Sequence, residues 1–346
     1  MNVTAFCTQS KVMVVAGKGG VGKTTVTAAL ARLAANAGLS VLIIELEGKE
    51  GVTTAFGHSG PLEYVESILG IASGNGPTDA RSDHEYHSGD VEPPVERGTV
   101  RARRITPDEA LHEYMEDRGL RRITRHLVSS GASEMVATAI PGVRDILVLG
   151  KVRQLEQQGV ADVILVDAPA TGHVMTFLTS AQGMLDAARG GPIRVQAAEV
   201  VKMLSDPARC QVALVTLPEE MPINEAIEAA SELRERAGVR VGPVIVNSCY
   251  DDIPDLETST EKAAGDAEVT LTRQAASAVE AARMFRLGRH ALQGEQLARL
   301  AEQLPLPQLR TPFVFSAGIG PAELDLLADA LARAVTALPD SPPSWS

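Results

Sequence analysis

The sequence has few cysteines, few aromatic side chains and no long hydrophobic run. Its three cysteines, Cys7, Cys210 and Cys249, are far apart and form no Cys-x-x-Cys pair, which argues against a disulfide scaffold or a cysteine zinc site. Aromatic residues make up 3% of the chain, too few for a base-stacking platform. No transmembrane-length apolar window and no signal-peptide core are present. We therefore expect a cytoplasmic protein without an integral membrane segment.

Positive charge is also scarce. The 346 residues include 32 lysines and arginines against 44 aspartates and glutamates, a formal net charge of −12. We expect no nucleic-acid partner, because phosphate contacts need a basic face, whereas a nucleotide pocket needs only a few local donors. The chain has 45% hydrophobic and 22% charged residues, which is a globular composition and excludes a wholly disordered protein.

A strand, a glycine-rich loop, a helix and a second strand follow one another near the start of the chain. Residues 11–16 and 40–45 are apolar runs, and 23–37 reads as a helix that ends before Gly38. This order predicts a βαβ unit and hence an α/β fold with a mostly parallel central sheet flanked by helices. Further strands covered on both faces are predicted at 163–166, 211–216, 241–246 and 311–315.

The segment 57–160 departs from this pattern and is predicted to be an insertion. Residues 72–97 are rich in Gly, Ser, Asp, Glu and Pro, which indicates an exposed polar loop. A capping box formed by Thr106 and Glu109 starts a helix, and helical patterning continues to about residue 158. We predict one domain over 1–338 with a mainly helical inserted subdomain, followed by a flexible tail at 339–346.

Residues 17–25 read Gly-Lys-Gly-Gly-Val-Gly-Lys-Thr-Thr, which satisfies G-x-x-x-x-G-K-[ST] between a predicted strand and a predicted helix. Such a loop directs successive backbone N–H groups at phosphate oxygens, and the helix N-terminus adds positive potential. Lys23 is expected to reach the β- and γ-phosphates, and Thr24 to bind Mg²⁺. The predicted nucleotide-binding residues are Gly19, Gly20, Val21, Gly22, Lys23, Thr24 and Thr25.

A second lysine, Lys18, follows the first glycine of this loop. Lys23 already serves the phosphates of its own chain, so Lys18 is not needed for that purpose. One interpretation is a solvated loop lysine. The other is a signature lysine that crosses a dimer interface and neutralises charge on the partner's transferred phosphoryl group, as an arginine finger does.

Residues 17–25 resemble the deviant Walker A loop of the signature-lysine ATPases, the class that includes nitrogenase iron protein, MinD, ParA and the arsenite-pump ATPases. Residues 167–173, Asp-Ala-Pro-Ala-Thr-Gly-His, are similar to the switch II sequence of the arsenite-pump and tail-anchored-protein-targeting ATPases, here called ArsA-like. Asn247 after an apolar run, and Thr311-Pro312-Phe313, resemble the adenine side of that family. The similarity extends from residue 11 to about 337 and is poor in the inserted middle.

The resemblance implies an enzyme that hydrolyses ATP with Mg²⁺ at a dimer interface and so drives a conformational switch. Asp167 would then hold the shell of the magnesium ion, and Asn247, Pro312 and Phe313 would contact adenine. The family's switch I aspartate, which orients the attacking water, corresponds here to Glu47, with Glu45 as the competing candidate. The predicted catalytic residues are Lys18, Lys23 and Glu47.

The sequence says less about the protein partners than about the nucleotide site. We expect a homodimer, or a heterodimer with a related ATPase subunit, that acts on a protein client. The chain lacks the Cys-x-x-Cys of the targeting ATPases, and its apolar stripe at 200–204 predicts core packing rather than a client groove. The scattered cysteines argue against activation by arsenite.

Two alternatives stay open at this stage. One is an ATP-dependent interaction subunit with weak turnover, which glutamate in place of the switch I aspartate would permit. The other is a positioning ATPase of the MinD or ParA type, but the acidic helix at 324–338 does not favour membrane docking. The candidate DNA-binding surface is interpreted instead as a solvated helical face or a contact for an acidic partner. It consists of Arg101, Arg103, Arg104, Arg118, Arg121, Arg122 and Arg125.

Overall fold

A computed structural model describes residues 1–46, 50–72, 97–117 and 142–340. The strands in these ranges are β1 (Val12–Gly17), β2 (Val41–Glu45), β3 (Ser67–Ile71), β4 (Thr99–Arg104), β5 (Val163–Ala170), β6 (Cys210–Thr216), β7 (Arg240–Cys249) and β8 (Gln308–Pro312). The helices are α1 (Val3–Cys7), α2 (Lys23–Asn36), α3 (Gly51–Ala55), α4 (Pro107–Asp117), α5 (Val143–Gln158), α6 (Thr171–Ala187), α7 (Pro192–Ser205), α8 (Glu220–Glu232), α9 (Thr260–Asp266), α10 (Arg273–Gln303) and α11 (Pro321–Thr336). A π-helical turn (Leu233–Ala237) continues α8.

The eight strands form one sheet in the order β3-β4-β2-β5-β1-β6-β7-β8. Every neighbouring pair is parallel except β3 and β4, which are antiparallel. The predicted fold class, an α/β P-loop fold with a mostly parallel sheet flanked by helices, is confirmed. β2 lies on one side of β1 and β6 lies on the other, so β1 is the point at which the order of the strands changes side. Open parallel sheets bind ligands at such a topological switch point.

Both faces of the sheet are buried, which explains the continuous apolar runs. Alternate residues of β1 point to opposite faces: Val12 and Val14 pack on one side, and Met13 and Val15 on the other. The first face is covered by α5, α6, α7, α8 and the end of α10, and the second by α1, α2 and α11. Val200, Met203 and Leu204 belong to the first core, as predicted for the stripe at 200–204.

Part of the segment predicted as an insertion extends the sheet. β3 and β4, at 67–71 and 99–104, are two strands that were not predicted from the sequence. The arginines of β4 are therefore not on a solvated helical face, and that interpretation is wrong for Arg101, Arg103 and Arg104. Arg101 and Arg103 pair with Glu66, so their charges are held against the sheet edge. The arginines at 118–125, most of the predicted polar loop and most of the predicted tail lie outside the described residues.

Candidate functional site

The glycine-rich loop leaves the sheet at the carboxyl end of β1 and leads directly into α2. Gly22 occupies the N-terminal cap of α2 with φ +87°, a left-handed conformation that favours glycine. A Cβ atom at this position would lie 2.3 Å from Nδ2 of Asn247, so the space is also closed to a side chain. Gly19 and Gly20 are exposed, which leaves the outer face of the loop open to solvent.

The two lysines of the loop point in different directions. Lys23 is buried, and its Nζ donates a hydrogen bond of 3.1 Å to the backbone oxygen of Lys18, within the curve of the loop. The Nζ of Lys18 instead donates to Oε1 of Glu225 on α8, at 2.5 Å. The structure thus places the Lys23 ammonium inside the curve of the loop and the Lys18 ammonium at its outer edge.

A hydroxyl and a carboxylate meet below the loop. The Oγ1 of Thr24 donates to Oδ2 of Asp167 at 2.7 Å. The Oγ1 of Thr27, one turn further along α2, lies 3.0 Å from the backbone oxygen of Lys23 and 3.3 Å from the other carboxylate oxygen of Asp167. Asp167 lies within β5, directly beside β1, and is buried. This contact brings together Thr24 and Asp167, the two residues predicted as metal ligands. Thr25 follows on the same first turn of α2.

Asn247 connects the loop to the far strands of the sheet. Its Nδ2 donates to the backbone oxygen of Val21 at 3.0 Å, and its Oδ1 accepts from Oγ1 of Thr311 at 2.8 Å. The strand pairing shifts register between Val246 and Cys249, and Ser248 has φ 61°. Such an irregularity re-aims side chains next to a site, and here it turns the amide of Asn247 toward the loop.

An aromatic surface adjoins this amide. Phe313 follows β8 and packs against Tyr250, with ring centroids 5.2 Å apart, and against Phe315 at 4.7 Å. The guanidinium of Arg286 lies over the Tyr250 ring at 3.9 Å. The predicted strand at 311–315 was placed three residues too late, because β8 ends at Pro312. Pro312 is therefore the last residue of the strand and Phe313 begins a loop beside the site, which suits a role of the two residues as a wall for a planar ring.

The switch I carboxylates are only partly described. Glu47 lies outside the described residues. Glu45 ends β2 in register with Asp167 of β5, and its side chain is buried, at 1% exposure. A carboxylate at that depth lies beneath the site rather than facing bulk water.

The three cysteines are all buried. Burial raises the pKa of Cys7 and of Cys210 to about 12, and the pKa of Cys249 to about 11. Thiols with such pKa values are almost entirely protonated near neutral pH, so they are poor ligands for a metalloid.

Sequence reasoning missed three residues of this site. Thr27 lies four residues after Lys23, so helical spacing alone places both on one side of α2 and could have identified it. Thr311 was noted only as part of a resemblance, although it fixes the Asn247 amide. Glu225 is 207 residues from Lys18 in sequence and belongs to no motif, so no local signal identifies it.

Comparison with known proteins agrees with this geometry. The model of the CobQ/CobB/MinD/ParA nucleotide binding domain family matches residues 12–269. The ATPase BagA of Mycobacterium tuberculosis is 31% identical over 344 residues, which covers 92% of each chain. A putative arsenical pump-driving ATPase of Halobacterium salinarum is 25% identical over 67% of this chain and 34% of its own length. The ATPase GET3B of Arabidopsis thaliana is 24% identical over 69% of this chain and 64% of its own length.

The parallel sheet, the phosphate loop and these matches define the class of protein. The chain belongs to the CobQ/CobB/MinD/ParA family of nucleotide-binding P-loop proteins. Within that class it is an ArsA-like, signature-lysine ATPase. Among the described residues, none of the helices has the length and apolar character needed to cross a membrane.

Proposed function

We propose that the chain binds ATP with Mg²⁺ and hydrolyses it at the interface of a dimer, and that the resulting conformational switch acts on a protein client. The observation that carries this proposal is the contact between Thr24 and Asp167 directly below the phosphate loop. It joins the first turn of the nucleotide-binding helix to the strand that leads into α6, so the two elements meet where the phosphates would lie.

The donor set fits a magnesium ion. The hydroxyl of Thr24 and the carboxylate of Asp167 supply hard oxygen atoms, which Mg²⁺ prefers, and the Thr27 hydroxyl lies 3.3 Å from the second carboxylate oxygen. Mg²⁺ bound here would offset charge on the β- and γ-phosphate oxygens. The Lys23 ammonium would exchange its bond to the Lys18 carbonyl for phosphate oxygens, while the loop amides bind the remaining ones.

The adenine base has a polar edge and a flat wall available to it. After its two described bonds, the Asn247 amide retains one N–H and one acceptor lone pair. That pair of groups matches N7 and the N6 amino group of adenine, the arrangement that asparagine uses to read this base elsewhere. Pro312 and Phe313 would cover the ring from the side of β8.

Hydrolysis requires a group that orients water and a charge that stabilises the transferred phosphoryl group. We assign the first role to Glu47 rather than Glu45, because the Glu45 side chain is buried at the end of β2. We assign the second role to Lys18 of the partner subunit. The exposed outer face of the loop supports this assignment, since a second chain can approach the loop there.

The client is proposed to be a protein rather than a metalloid. All three cysteines are buried and protonated, so the chain offers no thiolate for arsenite. The switch would start at Asp167 and move α6, whose first turn contains the exposed Gly172 and His173.

A mixing experiment tests this function. Lys18→Ala and Glu47→Gln should each bind ATP but release phosphate very slowly. The first loses a finger residue, a kind that contributes about 10³–10⁵ in rate, and the second loses the carboxylate that orients the attacking water. In a mixed dimer, the Lys18→Ala chain retains its own Glu47 and receives a working Lys18 from its partner. Phosphate release should therefore recover in part on mixing. No recovery, in samples where tagged pull-down shows mixed dimers, would refute the cross-dimer role of Lys18.

A further inference from the structure

The outer lysine of the phosphate loop is held by a glutamate of its own chain. The Nζ of Lys18 and Oε1 of Glu225 are 2.5 Å apart, and their side chains are 37% and 31% exposed. The proposed function, on which the following inference rests, requires the same ammonium to reach the nucleotide of a partner subunit. One ammonium cannot occupy both places, so the two contacts exclude each other.

The surroundings of Glu225 make this contact more than an incidental surface pair. Glu225, Glu228 and Glu232 occupy one face of α8 and line a groove of about 450 Å³ against α6. The wall contributed by α6 is Gly172, Met175, Thr176 and Thr179, and Arg236 is the one cation among the described lining residues. Lys18 therefore neutralises the end of an acidic row that lies nearest the phosphate loop.

We infer that Glu225 is a positioning residue for Lys18, and that this ion pair is a latch within the single chain that must open before the lysine crosses the dimer interface. Opening the latch leaves Glu225 beside other carboxylates, which opposes dimer formation until bound ATP supplies phosphate charge for the lysine. The latch thus keeps the ATP-free chain from adopting the arrangement of the hydrolysing dimer.

The size of the effect follows from the exposure of the pair. A partly exposed ion pair changes an equilibrium by about 2–5-fold. A symmetric dimer has to open two latches, so removing both should favour the dimer by about 4–25-fold. The latch therefore adjusts the protein concentration at which activity appears and leaves the chemical step at saturation unchanged.

Glu225→Gln and the matched control Glu228→Gln test this inference, because both remove one charge from the same groove. Phosphate release per chain is measured against protein concentration at saturating ATP and Mg²⁺. We expect Glu225→Gln to lower the half-maximal protein concentration by about 4–25-fold, and Glu228→Gln to lower it less than twofold. An unchanged or raised half-maximal concentration for Glu225→Gln would overturn the latch.

A second measurement on the ATP-free protein does not depend on dimers or on activity. Reductive methylation followed by mass spectrometry gives the labelling rate of Lys18, which should rise in Glu225→Gln and stay unchanged in Glu228→Gln. Equal rates in all three proteins would overturn the inference even where activity shifts. If the mixing experiment recovers activity while Glu225→Gln behaves as its control, the latch fails and the proposed function stands. If activity per chain is independent of protein concentration and mixing recovers nothing, the proposed function itself fails.

Discussion

Asn247 is predicted to serve both the stability of the fold and the choice of nucleotide base. Its amide is buried and joins the Val21 carbonyl of the phosphate loop to the Thr311 hydroxyl of β8. Asn247→Ala removes the amide and so leaves both of these groups without their hydrogen bond. Each buried polar group left without a hydrogen bond costs about 1–3 kcal/mol, so the two groups together should lower the free energy of unfolding by about 2–6 kcal/mol.

Urea unfolding followed by far-UV circular dichroism measures this loss as a lower midpoint at unchanged slope. Asn224→Ala is the matched control, because Asn224 lies on α8, is only half-buried and contacts Arg299. We expect about 0.5 kcal/mol or less for the control. A midpoint for Asn247→Ala equal to that of the control would show that the connection between loop and strand does not stabilise the fold.

The same variant tests base recognition. A bidentate contact between asparagine and adenine discriminates by about 1–3 kcal/mol, which is about 5–150-fold in affinity. Competition between ATP and GTP for a fluorescent ATP analogue should therefore show the preference for ATP reduced by that factor in Asn247→Ala. An unaltered ratio of the two affinities would refute the adenine role, whatever the effect on stability.

Three further predictions concern the loop, the metal site and the thiols. Gly22→Ala should weaken ATP binding about tenfold or more and lower stability more than Gly20→Ala, because both glycines have φ near +88° but only Gly22 faces the Asn247 amide. Equal effects of the two substitutions in ATP titration and in urea unfolding would contradict this. Asp167→Asn should reduce ATP affinity more in the presence of Mg²⁺ than in EDTA, whereas an equal loss in both would argue against a metal role. With a pKa of about 11, Cys249 should react with iodoacetamide at pH 8 about 200-fold more slowly than an unfolded thiol, and its reactivity should increase as the pH rises toward 11. Rapid labelling of Cys249 in the native protein at pH 8 would contradict its burial.

The centre of the fold could be predicted because its signals are local. β1, the phosphate loop and α2 are adjacent in sequence, and Asp167 follows an apolar run that only a buried strand explains. Side-chain periodicity and glycine chemistry therefore sufficed to predict the loop with Gly22, Lys23 and Thr24, whereas the role of Asp167 beside Thr24 was implied by the resemblance of residues 167–173 to switch II.

The edges of the sheet could not be predicted in the same way. β4 contains three arginines in six residues, a pattern typical of a solvated surface. It forms a strand because Arg101 and Arg103 keep their charges paired with Glu66, while Arg103 also lies 4.4 Å from the centre of the Tyr64 ring. These partners come from an earlier part of the chain, so only the tertiary structure shows that the arginines are satisfied.

The contact between Lys18 and Glu225 illustrates the same limit at the site. The sequence indicated that Lys18 is not needed by its own phosphate loop, but it could not identify what holds the ammonium before a partner arrives. The answer depends on α8 packing next to β1 and β6, which no motif encodes.

The most direct test of the account is the mass of the Glu47→Gln chain in solution, measured by light scattering after size-exclusion chromatography. Without nucleotide we expect 36.5 kDa, the mass of a single chain. With ATP and Mg²⁺ we expect twice that mass, and the additional substitution Lys18→Ala should shift the equilibrium back toward the single chain. A mass that stays at 36.5 kDa while ATP is bound would contradict hydrolysis at a dimer interface.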